Sequence, residues 1–143
     1  MPFKFEKLAV WQRALDYIDL TYDIAANLPR DEVYNLKSQI TRAATSIALN
    51  IAEGSTGQTD AEQARFLGMA IRSLIETIAC QHIISRRKLL MDVSILRQAY
   101  RDAETLMAML YTMRKTIAPD QAWLRESPVE YISDIELAEE ENP

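Results

Sequence analysis

The chain is poor in the two residues that most often interrupt helices. Its 143 residues include three Gly and five Pro, whereas 48% are hydrophobic. A β-sheet needs many tight turns, and Gly and Pro are common in such turns, whereas long helices need few of them. This composition therefore argues against a sheet. A chain of this length buries one core. The composition therefore predicts a single all-α domain.

Cysteine and histidine are also scarce, with Cys80 and His82 the only residues of their types. A lone cysteine forms no internal disulfide and no zinc-binding pair, which suits a reducing compartment. On a helix the two side chains point to different faces, so they cannot act together as nucleophile and base. A di-metal site in a bundle core needs Glu three residues before His, where this chain has Ala79. We expect both residues to be structural, and we expect no cofactor.

Sequence motifs of catalysis and of membrane association are absent as well. The sequence contains no phosphate-cradling glycine loop and no nucleophile elbow, so an enzyme is the weakest functional class. It has no run of about eighteen apolar residues, and residues 1–7 carry no apolar secretory segment. The sequence therefore predicts a cytoplasmic protein that does not associate with membranes.

The negative charge is concentrated at the C-terminus. The net charge is −5. Residues 1–118 carry fifteen Lys and Arg against thirteen Asp and Glu, a net +2, whereas residues 119–143 carry one Arg against eight acidic residues, a net −7. We predict a four-helix bundle domain at 1–118 and an acidic tail at 119–143. Ser127 and Pro128 favour a short helix in the tail, with three apolar residues that could dock on the bundle: Val129, Ile132 and Ile135.

Helical periodicity divides residues 1–118 into four helices. The first is predicted from about Glu6 to Leu28, before Pro29, and its core stripe is Leu8, Trp11, Leu15, Ile18, Tyr22 and Ala25. The second is predicted to be capped by Asp31 and to end at Gly54, in the left-handed conformation that often terminates helices. The core stripe predicted for this helix begins with Val33 and Leu36 and continues through Ile40, Ala44, Ile47 and Ile51.

The third and fourth helices complete the predicted bundle. The third covers roughly Asp60 to Lys88, and Thr59 and Glu62 form a capping box at its start. The fourth follows a turn at 89–92 and runs to about Ile117. Its predicted core stripe is Leu96, Ala99, Tyr100, Ala103, Leu106, Leu110 and Met113. Short connections predict an antiparallel up-and-down four-helix bundle.

Apolar residues of the third helix occupy more than one face. One side is defined by Phe66, Met69, Ala70 and Leu74. Five further residues widen the apolar surface beyond what an amphipathic helix needs: Leu67, Ile71, Ile75, Ile78 and Ile84. Because each helix of a monomeric bundle keeps an exposed side, the extra apolar surface predicts contact with a neighbouring subunit. We therefore expect a homo-oligomer.

A line of polar residues runs along the second helix beside its apolar stripe. Two residues of the third helix are placed to meet it, and the whole set is Gln39, Arg42, Ser46, Asn50 and Glu53, with Ser73 and Glu76. Short amide and hydroxyl groups suit a packed interface. We interpret the line as a structural polar network that fixes helix register and subunit geometry. The alternative is a ligand or partner site, including a catalytic one.

Three consecutive basic residues, Arg86, Arg87 and Lys88, end the third helix. In an assembled ring they could contact nucleic-acid phosphate. Other cations that could join them are Arg65, Arg72, Arg97 and Arg101. We favour the interpretation that these residues form an ordinary solvated surface and that their positive charges interact favourably with the C-terminal end of the third-helix dipole. Nucleic-acid contact is the alternative.

The first three helices together resemble a known family. The matching positions are Phe5, Leu8, Val10, Trp11, Gln12, Ala14, Pro29, Tyr34, Leu36, Gln39, Arg42, Ala43, Ser46, Ile47, Asn50, Ile51, Ala52, Glu53, Gly54, Phe66, Leu67, Ala70, Ser73, Leu74 and Glu76. They look like the bacterial four-helix bundle proteins encoded within intervening sequences of large-subunit ribosomal RNA genes. The resemblance spans most of residues 3–118, and its most specific parts are residues 10–12 and 46–54.

This resemblance implies an up-and-down bundle that assembles into a ring, usually a pentamer, with no established enzymatic activity. A related branch, the accessory variability protein of diversity-generating retroelements, implies a nucleic-acid-binding partner of a reverse transcriptase. In this chain Gln58 and Thr59 stand where the family often has basic residues, and Arg72 stands where it often has Gly. The expected function is a non-catalytic homo-oligomeric interaction or scaffold module. The alternative is an accessory protein that binds structured RNA or DNA.

Overall fold

The computed structural model describes residues 3–56 and 59–119, and within them every regular element is a helix. Two are short 3₁₀ helices, at Lys4–Lys7 and Arg30–Glu32. The α-helices are α1 at Ala9–Ala26, α2 at Leu36–Gly54, α3 at Asp60–Arg86 and α4 at Ser94–Ile117. This arrangement confirms the all-α fold with four helices. The predicted acidic tail lies outside the described residues from position 120 onward.

The four α-helices surround one core. Each helix packs on the next one in the chain, and α4 also packs on α1. The largest fully buried apolar side chains come from all four: Tyr17, Ile24, Ile40, Ile47, Ile51, Leu67, Leu74, Ile84, Leu106, Met107 and Leu110. Burying one such side chain contributes about 1.5–3 kcal/mol. In the part of the chain that the structure describes, no helix has the length and apolarity needed to cross a bilayer.

The buried face of α1 differs from the predicted one. Tyr22, predicted to lie in the core, is 51% exposed. Sequence reasoning followed hydrophobicity alone and left out Tyr17 and Thr21. Their hydroxyls find partners inside the bundle, so burying them costs little. The buried residues of α1 are Val10, Ala14, Tyr17, Thr21, Ile24 and Ala25.

Helices α1 and α2 both begin later in the chain than predicted, because a 3₁₀ helix precedes each of them. Before α1, the extended backbone of Leu8 separates the two elements. Before α2, Asp31 lies inside the second 3₁₀ helix. The carboxylate of Glu32 instead accepts hydrogen bonds from the backbone N–H of Leu36 (3.4 Å) and from the side-chain amide of Asn35 (3.0 Å). The N-cap of α2 is Asn35, whose side chain makes no capping hydrogen bond, so the predicted cap at Asp31 is wrong. Val33, predicted to begin the apolar face of this helix, lies before it and is 37% exposed.

Gly54 is the last residue of α2, and its backbone is not left-handed as the sequence predicted. A Cβ atom at this position would lie 2.8 Å from the Cβ of Phe66 and 3.3 Å from the carbonyl oxygen of Gln63, both on α3. A residue without a side chain lets the end of α2 approach α3 this closely. The glycine therefore serves helix packing rather than chain reversal.

The start of α3 forms half of the predicted capping box. Thr59 Oγ1 accepts a hydrogen bond from the Glu62 N–H at 3.0 Å. The Glu62 carboxylate pairs instead with Arg65, at 2.7 Å. This helix ends at Arg86, two residues before the predicted end.

The broad apolar surface of α3 is largely covered within the chain, because α3 packs against both α2 and α4. Leu67, Leu74 and Ile78 are buried, while Ile75 and Ile83 are 38% and 46% exposed. The width of this apolar surface therefore does not by itself require a second subunit. The expectation of an oligomer needs support from another surface.

Candidate functional site

The polar line predicted on α2 lies at the outer edge where α2 meets α3. We call this edge the α2–α3 seam, and it consists of Gln39, Arg42, Ser46, Asn50, Glu53, Ser73 and Glu76. Three of these residues are hydrogen-bonded to one another. The Ser73 hydroxyl donates to Ser46 Oγ at 2.9 Å, and Asn50 Nδ2 donates to the carbonyl and the Oγ of Ser46 at 2.9 Å and 3.1 Å. The centre of the seam therefore ties α3 to α2 through paired polar groups.

The other four seam residues form an exposed flank. Gln39 and Arg42 hydrogen-bond to residues one turn earlier, at 3.1 Å and 3.4 Å. The carboxylates of Glu53 and Glu76 are exposed and make no hydrogen bond or ion pair with any residue that the structure describes. The structure thus connects three of the seven predicted residues and leaves the other four outside that network.

Sequence reasoning missed an apolar residue on the same flank. Leu49 is 56% exposed. It lies seven residues after Arg42 and four before Glu53, a spacing that places all three on one side of α2. One exposed Leu is ordinary, but here it lies between opposite charges beside a hydrogen-bonded centre. The helical spacing of an apolar residue within a polar line was the signal that could have revealed it.

The predicted basic residues do not form one cluster. Arg65 pairs with Glu62, and its guanidinium lies 4.7 Å from the ring centre of Phe66. The hydrogen bond from Arg65 lowers the pKa of Glu62. At about 1.5 Å of rise per residue, Arg65 is roughly 32 Å and Arg72 roughly 21 Å along α3 from Arg86. Neither residue can share a compact phosphate site with the end of α3.

A smaller basic patch remains at that end. Arg86 and Arg87 line a surface depression of about 570 Å³, and exposed Lys88 follows them. We call these three residues the basic end. His82 Nε2 lies 3.2 Å from the Tyr100 hydroxyl, so the early turns of α4 lie beside it. These turns carry two further exposed cations, Arg97 and Arg101.

A second polar network, absent from the sequence predictions, is buried inside the bundle. The hydroxyls of Tyr17 and Thr77 are 2.7 Å apart, and Gln81 Nε2 donates to the Tyr17 hydroxyl at 2.6 Å. Thr77 Oγ1 donates in turn to the carbonyl of Leu74. Burial raises the pKa of the Tyr17 hydroxyl far above its ordinary value, although its hydrogen bonds partly oppose this. The network joins α1 to α3. In the sequence, Tyr17 lies seven residues before Ile24, so the two share one face of α1, and this spacing could have indicated that Tyr17 is buried.

Cys80 lies on α3 one turn after the seam residue Glu76, whereas His82 contacts α4. Cys80 is 3% exposed, and burial raises the pKa of its thiol. The ring of His82 packs edge to face on Tyr100, with centres 5.5 Å apart. Between residues 3 and 119, apart from the undescribed positions 57 and 58, no three His, Cys, Asp or Glu side chains are grouped to hold a metal ion.

Comparison with known families gives one match. A family model described as 23S rRNA-intervening sequence protein matches residues 6–112. This range includes the whole α2–α3 seam and the basic end, and it stops inside α4. Comparison with curated proteins gave no match. The family match confirms the resemblance inferred from residues 10–12 and 46–54.

Proposed function

Because the chain belongs to the 23S rRNA-intervening sequence protein family, we propose that it is a non-catalytic, homo-oligomeric interaction module of the cytoplasm. The α2–α3 seam is the surface through which copies bind. The exposed flank of the seam carries this proposal, because Leu49 lies there between Arg42 and Glu53. By the family resemblance, the assembly is a ring and its expected size is a pentamer.

The composition of the flank suits a protein interface. Covering the 56% of Leu49 that is exposed would contribute about 1–1.5 kcal/mol, roughly half of what burying a whole Leu side chain gives. Arg42 and the carboxylates of Glu53 and Glu76 supply charges of both signs, which favour one orientation of the partner. The hydrogen bond from Ser73 to Ser46 holds the two helices in register, so the flank is ordered before a second copy binds.

A closed ring requires a heterologous contact, in which the seam meets a different surface of the next copy. A suitable surface is a hollow of about 340 Å³ between α1 and α2, lined by Tyr22, Ala25, Ala26, Val33, Lys37, Ser38 and Thr41. Tyr22 and Val33 are exposed there, at 51% and 37%. We assign this α1–α2 hollow as the acceptor of Leu49 from the neighbouring copy.

The up-and-down topology belongs to the same proposal. Across α2 and α3, Ser46 pairs with Ser73 while Gly54 approaches Phe66, so a higher number on one helix meets a lower number on the other. Across α3 and α4, His82 pairs with Tyr100 while Gly68 lies near Arg114. These pairs support antiparallel neighbours, which place the seam along the length of the bundle.

Light scattering at micromolar concentration tests the assembly. We expect the unmodified chain to have a multiple of its monomer mass, and Leu49→Asp and Tyr22→Asp each to give a folded monomer. Met91→Asp is the matched control, because Met91 is fully exposed in the α3–α4 connection. A monomeric unmodified chain would refute the proposal.

Mixing the two monomeric variants tests the pairing of seam and hollow. Leu49→Asp keeps an intact hollow, and Tyr22→Asp keeps an intact seam, so the mixture should form a heterodimer through one complete interface. If the mixture stays monomeric while both variants are folded by circular dichroism, the α1–α2 hollow is not the partner of the seam.

A second candidate function is binding of structured RNA or DNA at the basic end, in the role of an accessory protein to a reverse transcriptase. The observation that favours it is that exposed Arg86 and Arg87 line one depression and that exposed Lys88 follows them. Binding through phosphates weakens steeply as salt rises. Labelled structured RNA and duplex DNA should therefore bind at low salt and dissociate at high salt.

A charge-reversal pair separates specific from general attraction. Arg86→Glu should lower the affinity and reduce the salt dependence, whereas Arg13→Glu, an exposed site near the start of α1, should change both less. Equal losses in the two variants would remove the basic end as the binding surface.

A further inference from the structure

A second apolar hollow lies between the start of α1 and the last turns of α4. Its volume is about 410 Å³, and Thr112 supplies the one hydroxyl among its lining side chains. The other lining residues are Leu8, Ala9, Val10, Ala108, Met109 and Met113. Leu8, Met109 and Met113 pack on the core but keep part of their surface uncovered. We call this hollow the α1–α4 groove.

The chain itself supplies a nearby occupant. Helix α4 ends at Ile117, four residues after Met113, and 24 residues follow Pro119 in the sequence. Trp123 and Leu124 come first among their large apolar residues. Four residues of chain span up to about 13 Å, so these two side chains can turn back onto Met109 and Met113. The closed loop is short, which keeps the entropic cost of closure small.

Charge favours the same occupant. Lys7 precedes the α1 side of the groove, Lys115 follows its α4 side, and both are exposed. Residues 120–143 carry one Arg against eight acidic residues. A segment that brings Asp120 and Glu126 with it would place carboxylates near these lysines. Flexible, polarisable methionine side chains adapt well to an indole ring.

We propose that the segment around Trp123 and Leu124 docks into the α1–α4 groove of its own chain, with Trp123 against Met109 and Met113. The docked segment would cover the apolar groove and hold the acidic residues that follow it at the end of the bundle opposite the basic end. The inference does not depend on assembly through the α2–α3 seam.

The fluorescence of Trp123 in the full chain tests the docking. Trp11→Phe leaves Trp123 as the only tryptophan and keeps an aromatic ring against Phe5, which lies 4.6 Å from the Trp11 ring. In this parent, Trp123 should emit at short wavelength and resist quenching by acrylamide. Adding Met113→Glu should shift the emission to longer wavelength and raise the quenching constant.

The matched control is Met91→Glu, which places the same charge at a fully exposed methionine far from the groove and should leave both readings unchanged. Circular dichroism confirms that each variant is folded. Strong quenching in the parent, or shielding that survives Met113→Glu, would overturn the proposal. A milder variant, Met109→Ala, should raise the quenching constant partially, and no change there would also count against it.

Repeating the measurement with Leu49→Asp separates this inference from the proposed assembly. In the monomer, Trp123 should remain shielded at every protein concentration. If shielding appears only where light scattering shows oligomers, the groove is filled by another copy, and docking within the chain is wrong.

Discussion

At Gly54 a single missing side chain decides how closely two helices approach. Gly54→Ala would place a Cβ atom 2.8 Å from the Cβ of Phe66, which cannot swing away as the end of a flexible side chain could. We expect the free energy of unfolding in urea to fall by about 1–3 kcal/mol, the usual cost of overpacking.

Gly68 offers a matched control inside α3. A Cβ there would lie 3.4 Å from Arg114 Nη1, an ordinary contact with the end of a long side chain. Gly68→Ala should therefore leave stability unchanged or raise it by up to about 1 kcal/mol through helix propensity. Equal destabilisation at both glycines would mean that close helix approach is not the reason for Gly54.

The hydroxyl group of Tyr17 is a second small group that we expect to affect the free energy of unfolding strongly. Tyr17→Phe leaves the amide of Gln81 and the hydroxyl of Thr77 without their shared partner in the core. Such a loss costs about 1–3 kcal/mol. We expect a lower free energy of unfolding with the helical circular dichroism spectrum retained. An unchanged urea midpoint and slope would show that the hydroxyl contributes little.

The same residue predicts how stability depends on alkaline pH. Burial raises the pKa of folded Tyr17 above its ordinary value of 10.0, so the folded state holds its proton when the unfolded chain has lost it. This contribution is fully present below about pH 10 and declines as pH rises further. Urea unfolding at rising pH should show a loss of stability that is smaller in Tyr17→Phe. Parallel pH profiles for the two proteins would contradict this.

Among the elements, the C-terminus of α3 carries backbone strain. Lys88 has φ of +54°, and the 3.1 Å bonds from its N–H to the Ser85 carbonyl and from the Leu89 N–H to the Ile84 carbonyl form a Schellman motif. Left-handed backbone costs a residue with a side chain about 1–2 kcal/mol. Lys88→Gly should raise the thermal midpoint, whereas Lys88→Ala should not. Equal midpoints for the two variants would locate the effect in the charge of Lys88.

The helices differ in how well the sequence predicted them. The stripe of α4 is buried nearly as predicted, because Leu96, Leu106 and Leu110 dominate one face. The predicted stripe of α1 is only partly correct: Leu8, Trp11 and Ile18 pack on the core, but Tyr22 is exposed. The prediction missed Tyr17 and Thr21 because buried hydroxyls look polar in a sequence, and only the three-dimensional pairing of Tyr17 with Thr77 explains the position of Tyr17.

The seam was predicted only in part, because helical spacing shows which residues share a face but not which residues of two helices meet. Spacing on one helix located Ser46 and Asn50, and the third helix was expected to bring Ser73 to them. The hydroxyl oxygens of Ser73 and Ser46 lie 2.9 Å apart. Spacing cannot show how far an exposed carboxylate lies from its nearest cation, so Glu53 and Glu76 were included in a network that does not reach them. The prediction that Arg65 joins the basic end failed because the two are 21 residues apart on one helix, roughly 32 Å.

At the scale of the whole molecule, the charge is divided between a bundle of net +2 at residues 1–118 and a following segment of net −7. The basic end attracts a polyanion and the acidic segment repels it. If that segment docks at the opposite end of the bundle, as proposed above, its repulsion reaches the basic end only at low salt, where screening is weak. Converting the eight acidic residues after Pro119 to Asn and Gln keeps chain length and changes the net charge from −5 to +3.

This neutralised chain should bind structured RNA more tightly than the natural sequence at low salt, and the difference should shrink as salt rises, because screening shortens the reach of exposed charges. A fluorescence titration at two salt concentrations measures it. Adding Arg86→Glu to the neutralised chain should remove most of the gain if the basic end is the contact surface. A gain that survives this substitution would place the contact elsewhere, and no gain would show that the acidic segment does not govern access to the basic end.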